Sequence, residues 1–244
     1  MRVKVPCASC LNIVEPEKYQ LQIFEGELDD VGYVHVSCDK GHQSIVVYDS
    51  RRYEVLLQSA SSALLEGYAN EAISTFSTAL ERCYEFYIRV VLRSRGITTN
   101  QIEKAWKEVS AQSERQFGAF HFLRLLEHGE PLKLDSSIPK IRNSVVHRGK
   151  IATTKEAFNF GDLIYSRIKD IEASLSKNEG DVEIEQKHEI EAQKQKVPKD
   201  TDYVVLKAFS VKIDPTTNEF VGFPDTFKEY LAAVHRGKET KWIS

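Results

Sequence analysis

Methionine, tryptophan and cysteine are scarce in this chain, with one, two and four copies among 244 residues. Three of the cysteines crowd into the first 38 positions and Cys83 stands alone, which is too uneven for the disulfide framework of a small secreted domain. Proline and glycine are few enough, at 7 and 12, to exclude collagen-like and mucin-like chains. No apolar run approaches the roughly 18–20 residues needed to cross a bilayer. Met1 to Cys7 lacks the apolar stretch of a secretory signal, so the cytoplasm is the expected compartment and no membrane partner is expected. Net charge is only −3, so nucleic acid would have to be met by a local basic patch rather than a global field. A Gly-rich phosphate loop, a His-Glu-x2-His helix and a nucleophile elbow are all missing, and with them three large enzyme classes. What is present, 41% hydrophobic and 28% charged residues, suits a globular protein with ample chain for a core.

The pattern along the chain changes three times. Residues 1–49 alternate in the strand manner at Val3–Val5, Tyr19–Phe24 and Tyr33–Val36, with a compact apolar run at Ile45–Tyr48 and a turn around Asp29, Asp30 and Gly32. Residues 50–176 turn helical. Their clearest stripe is Ala72, Phe76, Ala79, Leu80, Cys83, Tyr87, Val90 and Val91, stepping by three and four and closing at Gly96. Asn100 is a candidate cap for the next helix, Ser113 for another, Pro139 opens a short one that stops at Gly149, and Thr153 or Thr154 starts a long one. Five or six helices with short connections predict an α-helical bundle. Residues 177–201, rich in Glu, Gln and Lys, read as a linker or a helix extension. Residues 202–244 read as a small hairpin-and-helix element: a strand from Tyr203, a turn at Asp214–Asn218, a second strand near Phe220–Phe223 and a helix from Phe227 to His235. Its aromatics Tyr203, Phe209, Phe220, Phe223 and Trp242 are expected in a core.

The strand segment is too small to bury much surface alone and needs a staple. Cys7-x2-Cys10 and Cys38-x3-His42 are two short-spaced ligand pairs, with Gly41 placed for the sharp turn of a knuckle. Three thiolates and an imidazole form an accepted tetrahedral zinc set, and filling all four positions with protein makes the role structural rather than catalytic. The segment looks like a zinc ribbon holding one zinc. His35 is a spare that could replace His42, and Cys83 on the buried stripe is expected to be a small core residue.

In the short helix after Pro139 the chain reads Ile141-Arg142-Asn143-Ser144-Val145-Val146-His147-Arg148-Gly149. Arg142, Asn143 and His147 resemble the signature of the HEPN superfamily, Arg-x(4–6)-His with a polar residue after the Arg. Arg115 and His121 fit the bare spacing too, but only the Arg142 copy has the Asn, the preceding Pro, a closing His-Arg-Gly and a long amphipathic helix behind it. A long helix carrying Ala79-Leu80-Glu81-Arg82 upstream extends the likeness over residues 51–176. The resemblance implies a mainly α, HEPN-type bundle and two opposed functions. One is a metal-independent endoribonuclease, toxin-like or antiviral, whose composite site forms where two copies meet in a homodimer. The other is a non-catalytic module that binds nucleotides or proteins as part of a larger complex.

The residue types suit the first. RNA cleavage without metal needs a base for the 2′-hydroxyl, an acid for the leaving 5′-oxygen and positive charge at the phosphate. His147 is the expected base or acid and Arg142 the phosphate fork. Asn143, four residues before His147, is expected to orient the imidazole or bond a phosphate. Arg142 lies about 140° from His147 around an ideal helix, so one chain by itself is expected to present an incomplete site. Between Ser136 and Lys155 there are five cations and no carboxylate. Of these Lys140, Arg148 and Lys150 are the expected contacts to RNA, tRNA among the candidates. Glu81 is a candidate for orienting Arg142 or His147 by charge. A regulatory partner protein would be expected beside such an activity.

Overall fold

The computed structural model describes residues 2–13, 23–130, 135–207 and 223–239. The chain forms two compact units: residues 1–50 with 186–209 and 238–244, and residues 51–185 with 210–237.

In the first unit, β1 (Arg2–Pro6), β2 (Ile23–Leu28), β3 (Tyr33–Ser37) and β4 (Gln43–Asp49) form an antiparallel meander, and a six-residue helix, α1 (Ala8–Ile13), follows β1. Alternation decides the faces of β1, where Val3 and Val5 are buried and Arg2 and Lys4 are exposed. The Asp29 carboxylate accepts from the backbone N–H groups of Val31, Gly32 and Tyr33 at 2.9–3.0 Å and so folds the β2–β3 turn. Strand β4 is buried continuously from Ser44 to Tyr48 because a fifth strand, β5 (Tyr203–Lys207), lies parallel beyond it, with Val46 opposite Val204. Ile45, Val47 and Tyr33 pack together with Val197 and Val205 on one face. Helix α8 (Glu179–Lys194) contributes its later residues to this unit: Tyr33 Oη donates to the Gln193 carbonyl at 2.6 Å, and Gln186 donates to Asp49 at 2.7 Å.

The second unit is helical, and with it the chain is mainly α. It contains α2 (Arg52–Leu65), α3 (Ala69–Ser94), α4 (Thr99–Val109), α5 (Ser113–His128), α6 (Ser137–Val146), α7 (Thr154–Ser174), the start of α8, and α9 (Phe227–Glu239). Every residue of the expected α3 stripe is buried, Cys83 included, and α3 is the axis around which α2, α5, α6 and α7 pack. Thr98, not Asn100, caps α4, because its hydroxyl and Gln101 exchange hydrogen bonds across the first turn. Thr153 caps α7 in the same reciprocal way with Glu156. Helix α6 begins at Ser137, so Pro139 falls inside its first turn, where a missing N–H costs nothing.

The stretch 202–244 is therefore not one element. Its first strand completes the sheet, and α9 belongs to the bundle, where Phe227 lies 5.6 Å from Phe76 ring to ring and Tyr230 lies 5.0 Å from Tyr165. Gly161 permits this approach, since a Cβ there would stand 2.6 Å from the Phe227 ring. Most of 177–201 is helix α8 rather than linker, and Glu185, only 1% exposed, is ion-paired with Arg93. Phe223 packs against the core, whereas Tyr203 is 41% exposed. The expected turn at Asp214–Asn218, the strand near Phe220, and Phe209 and Trp242 lie outside the described residues, as do Tyr19 and the rest of the stretch between α1 and β2.

Candidate functional sites

Two constellations stand out, one in each unit. In the first, Cys7 sits where β1 gives way to α1, Cys10 one turn into that helix, and Cys38 and His42 bracket the β3–β4 turn. Their ligand atoms all lie within 4.8 Å of one another, with Cys10 Sγ 3.8 Å from Cys38 Sγ and 3.3 Å from His42 Nδ1. Metal–sulfur bonds of about 2.3 Å directed to tetrahedral corners place neighbouring sulfurs about 3.8 Å apart, so the donor set fits such an ion. Gly41, at φ +79°, makes the Cys38–His42 turn possible, and its N–H donates to the Cys38 carbonyl at 2.9 Å. Ser44 is the partner that the sequence did not single out: its buried hydroxyl is 3.4 Å from Cys7 Sγ and accepts from Ala8 N–H at 3.1 Å. Burial would raise the Cys7 thiol, but the bonds from Ser44 and the Cys10 backbone outweigh it and bring it down to about 6. Burial, together with Cys38 and Cys7, pushes Cys10 up to about 11. A divalent cation between them would relieve that crowding of thiolates. These four residues could hold a metal ion. His35 is elsewhere, exposed on β3 with its Nε2 3.1 Å from the Asp29 carboxylate, so His42 is the fourth member. The first pair straddles a helix start, which departs from a ribbon built on two β-knuckles.

In the second unit, α6 ends at Val146 and His147 is its C-cap, with its backbone N–H bonded to the Asn143 carbonyl. One Arg142 nitrogen, Nη1, reaches both Asn143 Oδ1 at 3.1 Å and His147 Nε2 at 3.0 Å. Because a guanidinium only donates, Nε2 is the acceptor in this contact. The helical-wheel expectation that Arg142 and His147 stand apart in one chain therefore fails: His147 has left the helix, at φ −107° and ψ −22°, and the long Arg side chain spans the gap. Asn143 meets Arg142 by its side chain and His147 by its backbone. His147 and Asn143 are exposed, as are Lys140 and Arg148. Lys150 is exposed as well but pairs with Glu156 at 2.5 Å.

The loop after His147 is tied down by Asn70, near the start of α3, which donates to the Lys150 carbonyl at 3.0 Å and accepts from Ala152 N–H at 2.8 Å. Nothing in the sequence singles out this Asn, since its partners lie 80 residues away. Beside Arg142 and Asn143 opens a cleft of about 280 Å³ between α3, α5, α6 and α7. Glu81 lines it, as do Tyr84, Glu114, Phe117 and Arg167. Burial lifts the Glu81 carboxyl above its ordinary value and Glu114 adds to this, while Arg142 and Arg82 pull it back. Glu81 thus shares a cleft with Arg142 and feels its charge.

Compared with family models, curated proteins and solved structures, the chain matches none. Among the described residues no helix is long and apolar enough to cross a membrane.

Proposed function

We propose that this chain is a metal-independent endoribonuclease of the HEPN type, acting as a homodimer, with a structural zinc in its smaller unit. The observation that carries the reading is the Arg142–His147 contact at 3.0 Å on an exposed helix end flanked by Lys140 and Arg148. The imidazole nitrogen that accepts from Arg142 becomes a general base once a phosphate oxygen draws the guanidinium to itself. The base removes the proton of the ribose 2′-hydroxyl, the 2′-oxygen attacks phosphorus, and the bond from phosphorus to the 5′-oxygen breaks. That oxygen takes a proton from a second acid, leaving a 2′,3′-cyclic phosphate and a 5′-hydroxyl. One chain offers one such His, so a second copy supplying the acid completes the pair, as the resemblance implies. A toxin-like or antiviral role accords with an activity of this kind, and a regulatory partner would restrain it.

Cys7, Cys10, Cys38 and His42 would hold the zinc, which when bound would staple β1, α1 and the β3–β4 turn and take no part in the reaction.

The test is incubation of the purified protein with mixed cellular RNA and tRNA in the absence of added divalent ions, beside Arg142→Ala and His147→Ala. Fragments are expected from the wild type, with each variant reduced about 10²- to 10⁴-fold. Silence from all three, each folded and dimeric, would overturn the reading in favour of a binding module.

A further inference from the structure

The cleft beside the motif is lined by carboxylates, aromatic rings and guanidinium groups. Helix α3 presents Glu81 and Tyr84, and α5 presents Glu114 and Phe117, each a carboxylate and an aromatic ring three residues apart and so on one helix face. The Tyr84 and Phe117 rings are neighbours at 5.4 Å, and Phe117 is only half buried. The lining also carries Arg142 from α6, Arg167 from α7 and, just before α6, Asp135, which feels the Arg167 charge. A ligand that fits this lining has a flat face, hydrogen-bond donors for the carboxylates and an anionic group for the guanidiniums. A nucleotide has that polarity, and about 280 Å³ is room for one nucleoside rather than a stretch of chain.

Among the bases, the chemistry of the carboxylates discriminates. A carboxylate accepts two parallel hydrogen bonds, and only guanine offers two adjacent donors, its ring N–H and its exocyclic amine, on one edge. Adenine and cytosine present one amine beside an acceptor that a carboxylate repels, and uracil presents a single N–H between two carbonyls. A cationic occupant such as an arginine side chain would satisfy the carboxylates and rings but would be repelled by Arg142 and Arg167.

We propose that this cleft is a base-recognition pocket that takes a guanine, held edge-on by Glu81 and Glu114 and against the ring of Phe117, with its phosphate towards Arg142 and Arg167. The proposal deepens the nuclease reading and rests on it for its meaning, since the pocket would then choose the nucleotide beside the cut. Arg167 and Glu114 become specificity residues, and Glu81 reads the base rather than orienting the His.

The test is calorimetric titration of the full-length protein with the 3′-monophosphates of guanosine, adenosine, cytidine and uridine, and with N-acetyl-arginine amide. Guanosine monophosphate is expected to bind at least about tenfold more tightly than the other three, the discrimination typical of one good bidentate contact. Glu81→Gln, nearly isosteric, should erase that preference, and Phe117→Leu, which keeps an apolar group against Tyr84, should weaken all four nucleotides alike. Equal binding of the four, no binding, or a preference for the arginine amide would each overturn the pocket. Guanosine preference in a protein that cuts no RNA would leave the pocket standing and remove the nuclease. RNA cleavage without base preference would do the reverse.

Discussion

The two constellations differ in closure. The Cys7, Cys10, Cys38 and His42 group turns inward: its three thiols are buried and its four donor atoms face one another. The Arg142, Asn143 and His147 group turns outward, on an exposed helix end beside a cleft. With a metal bound, a donor set whose every position is filled by protein would have no place for a substrate, and its proposed work is to hold the fold together. The exposed His147 and the part-exposed Arg142 bond chiefly to each other and to Asn143, and on the proposed reading they would meet a phosphate. In each group the residues come from short spacings in sequence, so the difference lies in what the rest of the chain places around them.

The sharpest way to test the contrast is to remove one member of each. Cys38→Ser should abolish zinc binding and unfold the first unit, because structural zinc sites contribute roughly 10 kcal/mol or more of apparent binding energy. Elemental analysis should give about one zinc per wild-type chain and none per variant. Hydrogen exchange should lose protection in β1 to β4 while α3 and α7 stay protected. His147→Ala, in contrast, should leave the melting temperature within a degree or two while removing RNA cleavage; a large loss of stability would mean that the motif is structural after all. Gly161→Ala should destabilise the bundle by about 1–3 kcal/mol in urea unfolding, since the added methyl meets Phe227 and Phe76. The zinc content should not move.

The smallest expected effect lies in the loop behind His147. Lys150, first among the causes, and the Thr153 backbone hold the exposed Glu156 carboxyl down to about 2. A depressed acid adds stability above its unfolded value, near pH 4.3, and that contribution is lost as pH falls through the folded value. Between about pH 4.3 and 2, Glu156→Gln should therefore show a slightly shallower acid loss of stability than the wild type. Identical profiles would mean that the ion pair with Lys150 has no weight in solution, leaving Lys150 free for RNA.

Much of this was legible in the sequence, for physical reasons that also mark the limits. The α3 stripe shows because a buried helix face repeats every three to four residues. The candidate metal group shows because a shared ion needs close ligand pairs, one of them here turned by a Gly, although the helix under the first pair does not show. Arg142 and His147 show because they sit five residues apart, although their contact depended on where α6 stops, which a helical wheel assumes away. The pairing of β5 with β4 does not show, since parallel neighbours need a crossover and here α2 to α8 lie between them in sequence. Glu114, Arg167 and Asn70 are invisible for the same reason: each is an ordinary polar helix residue until packing brings it to the cleft or the loop. Glu185 reads as one more acid in a charged run, and its pairing with Arg93 and Arg89 allows it to be buried.

The central claim is that the Arg142–His147 pair cuts RNA by turning the 2′-hydroxyl on its own phosphate. Two versions of one oligoribonucleotide that the protein cuts, one with a 2′-deoxy sugar at the cut site, test it most directly. The account predicts that the all-ribose strand yields a fragment ending in a 2′,3′-cyclic phosphate and that the 2′-deoxy strand stays whole at that position. Equal cleavage of both, with a plain phosphate end, would make water the nucleophile and contradict the account.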